Sequence, residues 1–472
     1  SIATLAAAVN AAAGGESGIE LPEGLDDQAA RIAYVPDVER ARQELGLESL
    51  VRLNDAILRT LAWHRGPVRE PEPPPEPPPT HLPYAHLMAE WLVELGYTHC
   101  FFVAGGGCMH LIEGFRHHFE CTPVVHEMSA GIAAEHFNEC SSGGKAFALV
   151  TTGPGLTNIV TSIAGCYTDR RPLLVVAGQV KSTDLIFGRL RQRGAQEIDG
   201  TAITKAISVA SVCLREPLGR QDFRALVEAT EKPHPGPVVI EVCLDVQGAK
   251  VERAELEALP ATKAAKLLPD EIIASREETQ RYAEELGRVI SAAQRPLVLI
   301  GGLVSRSRAW ELLDALERAG VPVATTTSAL DRIPGDSPIY AGRPSSWGGQ
   351  RWANLVLAQA DVVAGIGVQW DLQQTGFNWK EYAPNAALYQ VYPSQEELDK
   401  GHPALAGSLA AEPDAMLAAL VPRLQWIDTQ NWAEYVRDVR RLVPVLEPAN
   451  TWREGFVSSF HFLRDLSLAA GP

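Results

Sequence analysis

The stretch LVTTGPGLTN (149–158), followed one helix-length later by DRRPLLVVAGQV (169–180), decides how this chain is read. A short run of apolar, β-rich residues leads into the first block (146–150) and another lies within the second (173–177), each stopped by a glycine-bearing turn. Runs of this kind, apolar throughout rather than alternating, are strands buried on both faces, as in parallel sheets. GPGLTN between them reads as a strand-to-helix turn whose glycines permit unusual dihedrals. The same turn would let a flat ring approach the backbone closely.

The pattern continues in both directions. Residues 87–95 read as a helix and 100–103 as a strand ending in Gly105-Gly106-Gly107, while 237–243 close the unit with another strand. A charged, Ala-rich connector follows over 247–270, and then the alternation restarts. Helix 271–293 leads to strand 297–300 with Gly301-Gly302, then helix 308–319 and strands 321–325 and 361–366. Repeated βα units predict an α/β fold: two successive doubly wound parallel-sheet domains with a small helical N-terminal tail. The tail is 1–65, with helices at 2–13 and 53–64. GPVREPEPPPEPPPT (66–80) is a Pro-rich linker expected to form a polyproline spacer. The first domain is 81–246, the connector 247–270 and the central domain 271–445. Residues 446–472 are expected to begin a third domain.

Composition narrows the function. The chain has 472 residues, too many for one ordinary core. A net charge of −16, with no basic tract, argues against nucleic acid as a partner. No apolar run approaches a membrane span, and 1–13 lack the positive start of a signal peptide. The 7 cysteines include no CxxC pair, which fits free thiols in a reducing cytoplasm better than a disulfide framework. HEMSA (126–130) has Ala130 where a zinc-protease HExxH needs its second histidine, so no metal is expected there. The start at Ser1 and the stop at Pro472 lead us to expect a fragment.

One carboxyl stands out. Glu127 follows Pro123-Val124-Val125, which suggests a side chain at a strand end in an apolar cleft. Withheld from water, such a group can share a proton with a basic ring nitrogen.

The order of HE (126–127), LVTTGPGLTN and DRRPLLVVAGQV resembles the pyrimidine-binding domain of thiamine-diphosphate enzymes, particularly the acetolactate synthase branch. The resemblance extends over about 84–463. It implies that Glu127 hydrogen-bonds the N1′ atom of the cofactor's aminopyrimidine, so that the cofactor becomes its own base. It also implies that Thr151 and Asn158 offer hydrogen bonds to the pyrimidine. Gly105 and Gly106 belong to the family's glycine turn, a structural element more than a ligand contact, and Gln196, in GAQEID (194–199), approaches the reacting centre. RPLVLIGG (295–302), 341–367 and QTGFNW (374–379) resemble the central domain, which holds FAD in acetolactate synthases and is empty in other branches. Gly301, Gly302 and Gly365 would be the flavin contacts. The usual Gly-x-Arg is here Gly367-Val368-Gln369, and the acidic residues expected after the next strand are replaced in VYPSQEEL (391–398), which puts flavin in doubt. Where the family has a lysine in PKDV, this chain has Leu244, so a different acceptor is expected.

The diphosphate needs Mg²⁺ and a helix N-terminus, which the family supplies from a third domain through a GDG motif absent here. The implied activity is decarboxylation of pyruvate or another 2-oxo acid and transfer of the two-carbon unit to a carbonyl acceptor, in a homodimer or homotetramer. Residues 34–65 resemble the C-terminal tail of sugar-nucleotide epimerases and dehydratases, which suggests a keto-sugar nucleotide acceptor. The alternative is a non-catalytic member that keeps the fold and dimer surface alone. An NAD oxidoreductase is weaker, since no GxGxxG follows Gly365-Ile366-Gly367.

Overall fold

The computed structural model describes residues 2–15, 52–64, 81–141, 143–186, 191–231, 234–261, 273–447, 450, 455 and 457–470. It divides into two units, Ser1–Pro79 and Thr80–Pro472. In the first, Ile2–Ala13 and Leu53–His64 are helices, as their apolar spacing predicts. The Pro-rich linker and most of the epimerase-like segment lie outside the described residues.

In the second unit, strand β1 (His81–Pro83) precedes the helix Tyr84–Glu94. Six parallel strands follow: β2 (Tyr97–Phe102), β3 (Glu120–Pro123), β4 (Lys145–Val150), β5 (Leu173–Gln179), β6 (Ala210–Leu214) and β7 (Pro237–Cys243). Their order across the sheet is β3-β2-β4-β5-β7-β6. All seven residues of β5 and of β7 are buried, which is why their sequences are mostly apolar, broken only by Gln179 and Glu241. The helices Glu127–Cys140 and Pro154–Asp169 cover one face through Ala130, Ala134, Leu156, Ile159 and Ile163. Tyr84, Trp91, Phe115 and Phe223 fill the other.

Up to residue 261 the connector contains β8 (Lys250–Glu252), which pairs antiparallel with β1, and a helix Arg253–Ala258. Lys250 and Glu252 hide a strand signal behind their charges, and only pairing with distant His81–Pro83 makes it one.

The second sheet is again parallel: β9 (Pro296–Ile300), β10 (Val323–Thr325), β11 (Val362–Ile366), β12 (Ala387–Tyr392) and β13 (Gly407–Ala410), in the order β10-β9-β11-β12-β13. Its strand order reverses between β9 and β11, the place where doubly wound folds open a crevice. The helix expected over 308–319 is two, Arg306–Glu311 and Leu313–Ala319, broken at Leu312. A helix Ser459–Ala470 has no buried residue. No described helix is long and apolar enough to cross a membrane.

Candidate active site

Glu127 does not sit at a strand end, as its Pro-Val-Val context suggests. It is the first residue of the helix Glu127–Cys140, beyond β3. His126 caps that helix by accepting the Met128 amide at 3.1 Å through Nδ1. A carboxylate in the first turn suits the positive end of the helix dipole. Only 8% of Glu127 is exposed.

The facing helix starts at Pro154, directly after β4, so both helix N-termini lie at the same edge of the sheet. The two helices pack closely because Gly131 has no side chain: a Cβ there would stand 2.5 Å from Ser162 Cβ. Ser162 Oγ donates to the Met128 carbonyl at 2.8 Å and fastens the first turn of one helix to the third turn of the other. Asn158, one turn into its helix, then reaches across and donates from Nδ2 to Glu127 Oε2 at 2.9 Å. The other carboxylate oxygen, Oε1, faces Gly155; a Cβ on Gly155 would lie 3.6 Å from it and 2.8 Å from Thr151 Cγ2. The absent side chain lets Thr151 Cγ2 and Glu127 Oε1 close in on the Gly155 backbone.

Thr151 is engaged elsewhere. Its Oγ1 accepts the Gly107 amide at 3.2 Å, and a Cβ on Gly105 would collide with it at 2.5 Å. Thr151 therefore locks the Gly105–Gly107 turn against the start of the second helix, with Gly106 open to the outside. Gln196 is exposed, at a left-handed φ of 62°, and its carbonyl lies 2.2 Å from where a Cβ of Gly153 would stand. The structure thus gathers Glu127, Thr151, Asn158, Gly105, Gly106 and Gln196 around the turn Gly153–Gly155. The sequence reading did not single out Gly153 and Gly155 one by one, nor Glu197, which braces the Gln196 segment. Burial alone would push the Glu197 carboxyl up, but amides of Ile186, Arg193 and Gly194, at 2.7, 3.0 and 3.1 Å, hold it below the ordinary range. The reading also passed over Glu241, although a charge inside PVVIEVC was a visible signal.

The aminopyrimidine of thiamine diphosphate fits this donor set: one shielded carboxyl, held on one oxygen and free to face a ring on the other. Mg²⁺ finds no comparable place, since no group of three His, Cys, Asp or Glu able to hold a metal occurs among the described residues.

At the crevice of the second sheet, a cavity of about 220 Å³ is lined by Gly302, Ser328, Gln369, Asp371, Tyr392 and, from the first domain, Arg170. Gly301 and Gly365 do not open onto it. Gly301 abuts the Gly367 carbonyl, 2.0 Å from its would-be Cβ, and Gly365 backs onto the Trp370 ring at 3.0 Å. β12 ends at Tyr392, under the Arg170 guanidinium at 5.1 Å, and is followed by Pro393 and Ser394, whose hydroxyl accepts the Glu397 amide. The carboxylate in the crevice, Asp371, comes from the loop after β11 and accepts the Gln374 amide, so none stands at the tip of β12 for a ribose hydroxyl. With Gly301 and Gly365 turned away as well, the residues expected to contact FAD do not fit it.

Two family models match. "Thiamine pyrophosphate enzyme, N-terminal TPP binding domain" covers residues 83–203, and "Thiamine pyrophosphate enzyme, central domain" covers 283–420. The acetolactate synthase isozyme 1 large subunit of Escherichia coli (strain K12) is 28% identical over 365 residues, spanning 76% of this chain and 61% of that protein. The probable acetolactate synthase large subunit of Methanocaldococcus jannaschii is 29% identical, over 68% of this chain and 53% of its own. Glyoxylate carboligase from Escherichia coli O157:H7 is also 29% identical, over 60% of this chain and 46% of its own. The chain spans between about half and three fifths of the length of these curated relatives. With two domain models of one family matched in succession, over the same two sheets that the structure shows, the chain belongs to the thiamine pyrophosphate enzymes.

Proposed function

We propose that this chain forms the pyrimidine-recognising and central part of a thiamine-diphosphate-dependent carboligase. It would join the two-carbon unit of a 2-oxo acid such as pyruvate to a carbonyl acceptor. The observation that carries the reading is the Glu127 carboxyl, shielded from water, held on Oε2 by Asn158 and turned toward the Gly155 backbone with Oε1. When bound, thiamine diphosphate supplies an acidic carbon and, on its own aminopyrimidine, the base that deprotonates it. Glu127 would hold the proton shared with the ring nitrogen N1′, Asn158 keeps the carboxyl aimed, and the glycines at 153 and 155 let the chain turn tightly beside it. Thr151 shapes the floor by holding the Gly105–Gly107 turn, and Gln196 stands at the rim.

The diphosphate and Mg²⁺ would be held by residues other than those described, across an interface in an assembly of two or four copies. Leu244, in place of the family lysine, leaves a neutral side chain where an acceptor carboxylate would be met, which favours an acceptor other than a second keto acid. The resemblance of 34–65 to sugar-nucleotide epimerases supports a keto-sugar nucleotide in that role.

The test is Glu127→Gln in the full-length protein, reading deuterium exchange at C2 of bound thiamine diphosphate by quenched NMR. A fall of roughly 10²- to 10⁴-fold, the range of a lost general acid-base contribution, is expected. Unchanged exchange would remove Glu127 from this role.

A further inference from the structure

A second carboxyl lies deeper than Glu127, and nothing in the chemistry above uses it. Glu241 sits inside β7, 1% exposed, between Ala177 of β5 and Cys213 of β6 in strand register. Each of its oxygens is taken: Gln179 Nε2 donates to Oε1 at 2.8 Å, and Thr201 Oγ1 donates to Oε2 at 3.1 Å. Gln179 is itself fully buried and fully engaged. Its Nε2 also donates to the Ile198 carbonyl at 3.0 Å, and its Oε1 accepts the Val180 amide at 2.9 Å. Only glycine fits at 200, where a Cβ would come within 2.6 Å of Glu241 Oε1 and 2.1 Å of Leu156 Cδ2.

Two of these bonds, at Ile198 and Thr201, end on one segment, 194–201, which carries Gln196. The segment leans on the turn beside Glu127, since the Gln196 carbonyl occupies the space a Gly153 side chain would need. Its near end is braced by Glu197 on the Ile186, Arg193 and Gly194 amides. Its far end is held to the sheet by Gln179 on Ile198 and Glu241 on Thr201. Burying a carboxyl is costly unless its hydrogen bonds are made, so a carboxyl kept inside an apolar strand and tied to a single loop points to a positional task.

We propose that Glu241 is a positioning residue for the candidate site: through Gln179 and Thr201 it fixes the segment 194–201, and with it the place of Gln196 against Gly153. Its bearing on catalysis rests on the thiamine reading above, whereas the clamp itself does not.

Hydrogen exchange of the full chain, followed by mass spectrometry, tests the clamp without any cofactor. Thr201→Val removes one arm with little change of shape, and Glu241→Ala removes the centre. Both are expected to speed exchange over 194–204 about tenfold, the effect of losing one hydrogen bond to a charged group. Residues 145–150 should stay protected. Glu241→Gln, which can still accept from Gln179 and donate to Thr201, should restore the native pattern. If Glu241→Ala exposes 145–150 as well, it has unfolded, and Thr201→Val decides alone. Wild-type exchange in Thr201→Val, or a Gln variant that protects the segment no better than Ala, overturns the proposal. Free thiamine separates the two readings: should it fail to slow exchange over 127–131 and 151–158 in the wild type, the thiamine reading fails while the clamp result stands.

Discussion

Asn158 holds Glu127: its side-chain amide donates to Oε2 at 2.9 Å between the first turns of two packed helices. This bond leaves one carboxylate oxygen for a ligand and fixes the direction in which it points. Asn158→Ala should therefore keep the carboxyl and lose its aim. We expect C2 exchange of bound thiamine diphosphate to fall about tenfold, the worth of one charge-assisted bond, and less than in Glu127→Gln. An effect equal to that of Glu127→Gln would mean Asn158 does more than orient.

Gly153 has a φ of 63°, and a Cβ there would meet the Gln196 carbonyl at 2.2 Å. The obstructing atom is backbone and cannot swing away. Gly153→Ala should destabilise the fold by about 1–3 kcal/mol, read as a lower denaturation midpoint in urea. Gly106→Ala, in open space on the neighbouring turn, is the control and should change little.

Burial raises the Glu241 carboxyl to about 7, opposed by the Thr201 hydrogen bond and reinforced by the charge of Asp199. The folded value lies above the ordinary 4.5, so the fold favours the neutral form. That advantage is complete below about pH 4.5 and is lost as the pH rises through 7. Stability of the wild type relative to Glu241→Gln should fall between pH 5 and pH 8, measured by urea unfolding at each pH. A difference independent of pH would show that Glu241 does not titrate there.

Arg332, 3% exposed, pairs with Glu139 at 2.9 Å and also with Asp331. Glu139 stands near the end of the helix that Glu127 begins, and Arg171 pairs with it too. Without Arg332, Glu139 keeps Arg171 and Asp331 keeps Arg306. Arg332→Met should therefore cost about 1–3 kcal/mol, seen as a lower unfolding midpoint, less than the loss of one member of an isolated buried pair.

How much of this was legible beforehand depended on where each residue lies. Strands β5, β7, β9 and β11 are central and wholly buried, and their apolar runs announce them. Edge strands hide: β3 reads ECTP, with two of its four residues exposed, and β8 reads KVE. Their strand character comes from a neighbour's unpaired backbone, which no local pattern carries. The break at Leu312 was equally silent, because its two helices share one helical spacing.

The site divides in the same way. The order of glycines and carboxyl between His126 and Asn158 marked the family and the residues to examine, because a close turn needs glycine and a shielded proton holder needs an acid. Partnership was decided only in three dimensions. Asn158 turned to Glu127, Thr151 to the Gly107 amide, and Glu241 to a loop forty residues before it, because strands far apart in the chain lie side by side in a parallel sheet. Composition and local pattern record what a residue can do; which atom it reaches depends on chain crossings that place distant residues within 3 Å of one another.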